Sequence, residues 1–187
     1  MLIPLGILAS AGGVPPALPT YELIATTVLT GNASSVTFNS LDTYASDYRH
    51  LQVRFAGTMD TVNRWWSWQA NGNTSSIYRT HQLLGDGGTC YSLNTLQNRA
   101  WLLYAHDNNS TLASVAGVVD YLDAFSTTKN KVSRGFAGTA NGSSQQGVAL
   151  SSGFFPSTDA ISSLTFLLSD SGNFRSGTRF SIYGVRG

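Results

Sequence analysis

Short runs of β-branched, aromatic and aliphatic residues recur along this chain at a spacing of roughly 8–12 residues, and each run is closed by turn-forming residues such as Gly, Asn, Asp or Ser. This punctuation constrains the fold more than any other feature, because a helix needs about 10–12 uninterrupted residues to show its apolar stripe. Residues 50–56 (HLQVRFA) display the pattern plainly. Leu51, Val53 and Phe55 fall on one face and Gln52 and Arg54 on the other, the period of two of a half-buried strand. Similar runs occupy residues 21–29, 35–38, 65–70, 77–83, 90–96, 100–105, 131–139, 146–155, 161–168 and 179–185. Residues 113–125 (ASVAGVVDYLDAF) are long enough for a helix, yet Gly117 and the β-branched Val115, Val118 and Val119 favour a strand. Asn71 and Gly72, between two apolar-rich runs, carry the turn chemistry of a β-hairpin. About ten or eleven strands at this spacing predict an all-β sandwich or barrel rather than an α/β fold.

Composition points the same way. Charged residues make up 11 % of the chain, less than half of the roughly one quarter usual in globular proteins. Glu22 is the only glutamate, and Lys129 and Lys131 are the only lysines. Glu and Lys commonly clothe exposed helix surfaces, and here Ser, Thr, Asn and Gly take their place. The 42 % hydrophobic content suffices for one sizeable core in 187 residues. A net charge of +1 with no basic block gives nucleic acid no electrostatic footing. Cys90, the sole cysteine, cannot form an intrachain disulfide and reads as a small apolar residue on a strand.

Residues 1–19 stand apart. The opening MLIPLGILAS is apolar and followed by small residues, as in a signal peptide, but it lacks a positively charged start and Pro4 breaks its short apolar run. It is too short to span a bilayer, so no membrane partner is expected. An apolar stretch punctuated by Pro and Gly orders only by lying on another surface. Residues 1–19 are therefore expected to form an extended anchoring arm, with Met1, Leu2, Ile3, Leu5, Ile7 and Leu8 as its partner contacts and residues 20–187 as the β domain. The plainer alternative is an edge strand on its own domain.

Catalytic and metal-binding signals are thin. His50, His81 and His106 share no short ligand spacing, and no H-x-x-x-H or C-x-x-C pair is present. Residues 106–109 (HDNN) offer oxygen ligands without the regular spacing of a calcium loop. Asp120 and Asp123, the best carboxylate pair on paper, point to opposite faces of a strand. There is no G-x-S-x-G elbow, dinucleotide fingerprint or phosphate-binding loop. Neither an enzyme nor a cofactor is expected.

The sharpest local feature is residues 65–68 (WWSW). Alternation puts Trp66 and Trp68 on one face and Trp65 on the other. One face feeds the core, and an exposed indole stacks on a sugar ring or fills a partner's pocket. Trp65, Trp66 and Trp68, with Arg79 and His106, are accordingly the candidate interface or glycan contacts, core packing plus a subunit contact being the plainer assignment. Polar loops at residues 71–76, 85–89, 107–111 and 141–146 would rim such a surface.

Several segments together resemble a group of tailed-phage virion proteins found in environmental and cyanobacterial phages. They are Met1 to Ser10, Tyr21 to Thr27, Ser34 to Leu41, Tyr48 to Arg54, residues 161–167 (ISSLTFL) before a Ser/Asp/Gly/Asn loop, and Phe180 to Gly187 (FSIYGVRG). Residues 60–150 match only in strand rhythm. The resemblance implies a jelly-roll-like antiparallel sandwich in an assembled bacteriophage particle, as a head-decoration (cement) protein, head fibre, tail-fibre or baseplate component. Its expected partners are other virion proteins of the capsid or tail and, if it sits at a receptor-binding tip, a host-surface glycan. A homo-oligomer is the default for such a protein, and a trimer would match the local symmetry of a capsid or fibre.

Overall fold

Alternation becomes pairing in the computed structural model, which describes residues 19–61, 63–105, 114–140 and 147–187. The first strands are β1 (Tyr21–Val28), β2 (Ser35–Phe38), β3 (His50–Gly57), β4 (Arg64–Ala70), β5 (Tyr78–Gly85) and β6 (Cys90–Gln97). Then come β7 (Ala100–Ala105), β8 (Ser114–Leu122), β9 (Lys131–Ala140), β10 (Gly147–Phe155), β11 (Leu164–Leu168) and β12 (Arg179–Val185). A 3-10 turn at Leu41–Tyr44 is the only helical element among the described residues. Within residues 113–125, Ser114–Leu122 form a strand, β8, as the β-branched residues require, and the chain turns at Asp123.

The strands form two antiparallel sheets, ordered β1-β12-β3-β8-β9-β10-β5-β6 and β2-β11-β4-β7. With the hairpins β5-β6 and β9-β10 set aside, β1-β12-β3-β8 stands against β2-β11-β4-β7. That order is the double Greek key of a jelly roll. Both hairpins add to the same edge of the same sheet, beyond β8. The expected all-β sandwich is the fold observed, with a broad sheet facing a narrow one.

One local expectation is corrected. Asn71 and Gly72 do take left-handed conformations (φ 53° and 63°), as a tight turn demands. Yet β4 and β5 lie in different sheets, so the turn is a crossover and not a hairpin. Tertiary hydrogen bonds redirect the chain. The Asn71 side chain donates to the Ala160 carbonyl (2.9 Å) and accepts from the Ser162 amide (2.8 Å). The Tyr78 hydroxyl donates to the Asn73 carbonyl (3.0 Å) and accepts from the Ala70 amide (3.1 Å).

Aromatic rings fill the space between the sheets. Phe55 of β3 stacks on Trp66 of β4 (centroids 5.5 Å apart) and on Phe180 of β12 (6.1 Å). Trp68 meets Tyr121 of β8 edge-on at 5.0 Å and Tyr78 of β5 at 5.7 Å. Each such pair adds about 0.5–1.5 kcal/mol beyond the burial of its area. Under β7 the broad sheet switches to small inward residues: Ser133, Gly135 and Ala137 on β9, with Ala149, Ser151 and Gly153 on β10. A methyl on Gly153 would lie 2.9 Å from the Trp68 ring and 3.1 Å from the Ala100 Cβ, so this close approach of the two sheets needs a glycine. Thr80 and Gln82 also point inward from β5. The Trp101 amide donates to the Thr80 hydroxyl (3.0 Å), and the Gln82 amide donates to the Leu102 carbonyl (3.0 Å). These side chains occupy backbone groups that β7, an edge strand, would otherwise leave unpaired.

Candidate functional site

Because the inward positions of β9 and β10 under β7 are small, most of their large apolar residues face the other way, the buried Phe155 at the end of β10 being the exception. Register places them in rows across the outer face of the broad sheet. One row reads Val118, Phe136, Leu150, Leu83, Ser92 from β8 to β6. Leu83 is 63 % exposed, Leu150 54 % and Phe136 53 %. A polar row follows, Asp120, Arg134, Ser152, His81, Asn94, and then a second apolar row, Leu122, Val132, Phe154, Arg79, Leu96. Leu96, Val148, Val132 and Leu122 are also exposed. Together these seven side chains present roughly 600 Å² of apolar surface in two parts, Leu83, Leu150, Phe136 and Val148 on one side of the polar row and Leu122, Val132 and Leu96 on the other. A shallow depression of about 650 Å³ lies between the first two rows, lined by Leu83, Phe136, Leu150, His81, Arg134 and Ser152 among others.

The polar row is held rigidly on its β8–β9 side. Arg134 Nε donates to Asp120 (3.1 Å), whose other carboxylate oxygen accepts from Gln52 of β3 (2.7 Å). Gln52 in turn accepts from the Tyr21 hydroxyl (2.7 Å). Tyr21 and Tyr183 stack at 4.6 Å, and the Arg54 guanidinium lies 5.3 and 5.2 Å from the two rings. Partial burial raises the Tyr21 hydroxyl pKa. The outer face is thus divided. The β1-β12-β3 part is tied down by its own polar and aromatic network, and the β8-β9-β10-β5 part leaves its apolar side chains open. Such a face offers apolar surface for burial, with Asp120, Arg134, His81 and Asn94 available for polar contacts beside it.

The sequence candidates fall elsewhere. Trp66 and Trp68 are 1 % and 0 % exposed, sealed between the sheets, so neither can touch a sugar or a partner. Their face is the core face, the plainer of the two assignments. Trp65 is half-buried on the outer side of the narrow sheet. It stacks on Trp101 (4.3 Å, planes 12° apart) and leans on Tyr104 (4.8 Å). Arg99 lies on the segment just before Trp101, its guanidinium donating to the Leu168 carbonyl (2.7 Å), and burial lowers its pKa. Arg79 is exposed on β5, on the outer face of the broad sheet. The sandwich therefore separates Trp65 from Arg79 instead of bringing them together. Cys90 begins β6, on a strand as expected, and is exposed there. His106 and the arm contacts Met1, Leu2, Ile3, Leu5, Ile7 and Leu8 lie outside the described residues.

A second charged cluster closes the far end of β8. Asp123 (φ 48°) accepts from Arg49 Nε (2.5 Å) and Lys129 Nζ (2.6 Å), and its amide donates to His50 Nδ1 (2.8 Å). The bonds from Lys129 and Arg49 hold the Asp123 carboxyl at about 2, below the usual carboxylate range. Asp120, by contrast, sits on the strand's outer face with Arg134, so the two carboxylates do not converge. Among the described residues no group of three or more His, Cys, Asp or Glu is placed to hold a metal ion. No described helix is long and apolar enough to cross a membrane. The class defined so far is a jelly-roll-like β-sandwich with an open apolar face. The chain matches no protein-family model, no curated protein and no solved structure.

Proposed function

We propose that the protein is a structural component of a phage virion, a capsid decoration protein that docks through residues 1–19 and presents the sandwich outward. The observation that carries the proposal is the row Phe136, Leu150, Leu83, exposed across strands of a sheet that is otherwise well packed. The largest apolar patch of a monomer is often functional, and this one suits burial against another protein. The jelly roll supports the reading as a scaffold common to capsid and lectin domains, although fold alone does not assign function. A further support lies in where the phage-like segments fall. Those at 21–27, 48–54 and 180–187 form β1, β3 and β12, which are neighbours in the broad sheet, and those at 34–41 and 161–167 form β2 and β11, neighbours in the narrow one. Segments from opposite ends of the chain thus build one end of the sandwich.

The test is reconstitution on particles assembled without the protein. Labelled full-length protein should bind them saturably, and protein lacking residues 1–19 should remain folded but fail to bind. Particles that take up neither form, or both equally, would refute docking through the arm.

A second reading, a tail-fibre or baseplate module that binds a host-surface carbohydrate, is favoured by the Trp65–Trp101–Tyr104 cluster. Partly exposed aromatic faces beside an arginine suit a sugar ring. On a glycan array, Trp101→Ala should abolish any binding seen with the intact protein. A silent array for the intact protein removes this reading.

A further inference from the structure

The two sheets have four edges: β1 and β6 in the broad sheet, β2 and β7 in the narrow one. An edge strand presents unpaired N–H and C=O groups, and soluble proteins guard it with shortness, charge, a bulge or a cover. Three of the four are guarded. β2 is only four residues long. β7 has backbone groups taken by Thr80 and Gln82. β1 carries Glu22, and its pairing with β12 shifts register between Leu23 and Ala25. Among the described residues β6 has none of these protections. Its eight residues, CYSLNTLQ, include no charge and no proline, and they pair with β5 from end to end without a register shift. No strand among the described residues pairs with its other side.

We propose that β6 is a self-pairing edge. β6 of one copy joins β6 of a second copy, antiparallel about a two-fold axis, so that the two broad sheets become one continuous sheet. The occupant is a second copy because an isologous contact must be complementary to itself, and this strand is. An antiparallel backbone edge matches its own two-fold image, and an uncharged strand sets no like charges opposite each other. The β1 edge of another copy is a poorer partner. It would bring Glu22 and a bulge, and head-to-tail addition would not close. Tyr91 and Leu96, 43 % and 48 % exposed, would gain cover from the neighbouring strand. This pairing does not depend on the virion reading.

Directly opposed residues of an antiparallel pair share a face, so the axis passes through a residue and not between two. The middle residues of β6 are Leu93 and Asn94. The experiment is sedimentation velocity on the full chain, with two sets of variants. The wild type should sediment as a dimer. Asn94→Lys, on the solvent-facing side, should keep the wild-type circular dichroism spectrum and weaken the dimer at least tenfold by placing two lysines near the axis. In a Cys90→Ser background, Leu93→Cys or Asn94→Cys should form an interchain disulfide on mild oxidation, because one of them meets its own copy across the axis. The native Cys90 pair should not cross-link, since antiparallel pairing holds its two copies about 20 Å or more apart. A monomeric wild type, a trimer, open-ended filaments, an oligomer indifferent to Asn94→Lys, or failure of both engineered cysteines to cross-link would each overturn the proposal.

Discussion

Gly117 tests the packing argument at a single atom. A Cβ built there lies 2.5 Å from Phe55 Cζ, 2.7 Å from the Ala137 Cβ and 3.0 Å from the Phe136 carbonyl oxygen. The Phe55 ring cannot simply swing away, because it is buried and stacked on both Trp66 and Phe180. Ala137 and the Phe136 carbonyl belong to the β9 side of the sheet and move only with it. Overpacking of this kind costs about 1–3 kcal/mol. Against it stands the gain from restricting the unfolded chain when Gly becomes Ala, about 0.4–1 kcal/mol. The contact wins, and Gly117→Ala should lose about 1–2 kcal/mol. For a chain of this length that lowers Tm by roughly 2–8 °C. Gly31 provides the matched control. Nothing lies within 4 Å of its built Cβ, and its φ is not in the left-handed region. Gly31→Ala should therefore be neutral or stabilising by up to about 1 kcal/mol. Urea unfolding reads both, with the midpoint shifting in opposite directions at constant slope. Equal losses at the two positions, or no loss at Gly117, would refute the packing reasoning.

The Asp123 cluster makes stability depend on acid. Its folded pKa of about 2 lies below the reference value of 3.8, so its stabilisation is present above 3.8 and is lost as pH falls through about 2. Arg49 and Lys129 are largely exposed, so the effect should be modest and weakened by salt. Asp123→Asn, which tolerates the same left-handed backbone, should flatten the decline of Tm with acid over that range. At the β7 edge, Thr80→Val should cost about 1–2 kcal/mol by orphaning the Trp101 amide, and Gln82→Met should cost less. Carbonyls bear a lost donor better than an amide bears a lost acceptor, and the Gln82 Oε1 already has no described partner. Urea midpoints would rank the two. On the outer face, Phe136→Ser and Leu150→Asn should leave stability within about 0.5 kcal/mol but reduce binding to particles. A large loss of stability in either would place those side chains in packing after all.

Strand identity was legible in the sequence wherever large and small, or apolar and polar, residues alternate with the usual meaning. β3 is the clear case, since Leu51, Val53 and Phe55 are buried as their period implies. The open face was hidden because β9 and β10 reverse that meaning. In β10 the period of two would send Val148 and Leu150 inward, yet Ala149, Ser151 and Gly153 are the inward residues. What decides the parity is the close approach of β7, a tertiary fact with no local signature beyond the inward glycines at 135 and 153. The tryptophans were half legible. Alternation separated Trp65 from Trp66 and Trp68, which fill the gap between the sheets as the plainer assignment had it. Their candidacy as contacts fails, and Trp65 packs on Trp101, a pairing across strands that no local pattern signals. Asn71 and Gly72 correctly signalled a tight turn, while the destination of the chain after it depended on contacts with Ala160 and Ser162.

The two hairpins beyond β8 also impose an order of assembly. β9 and β10 can add to β8 by local steps, since each pairs with its sequence neighbour. β5 and β6 form earlier in the chain, but among the described residues their only strand connection to the sheet is β10, with Gln82 opposite Ser151. Closing that long loop carries an entropic cost that must wait for β10 to be in place. In an unpaired copy the β5-β6 hairpin should thus be the last part of the broad sheet to dock and the first to detach. Below the dimerisation concentration its amides, above all those of β6, should exchange with solvent through openings smaller than global unfolding, well before those of β3 and β12, and pairing of β6 with a second copy should slow them.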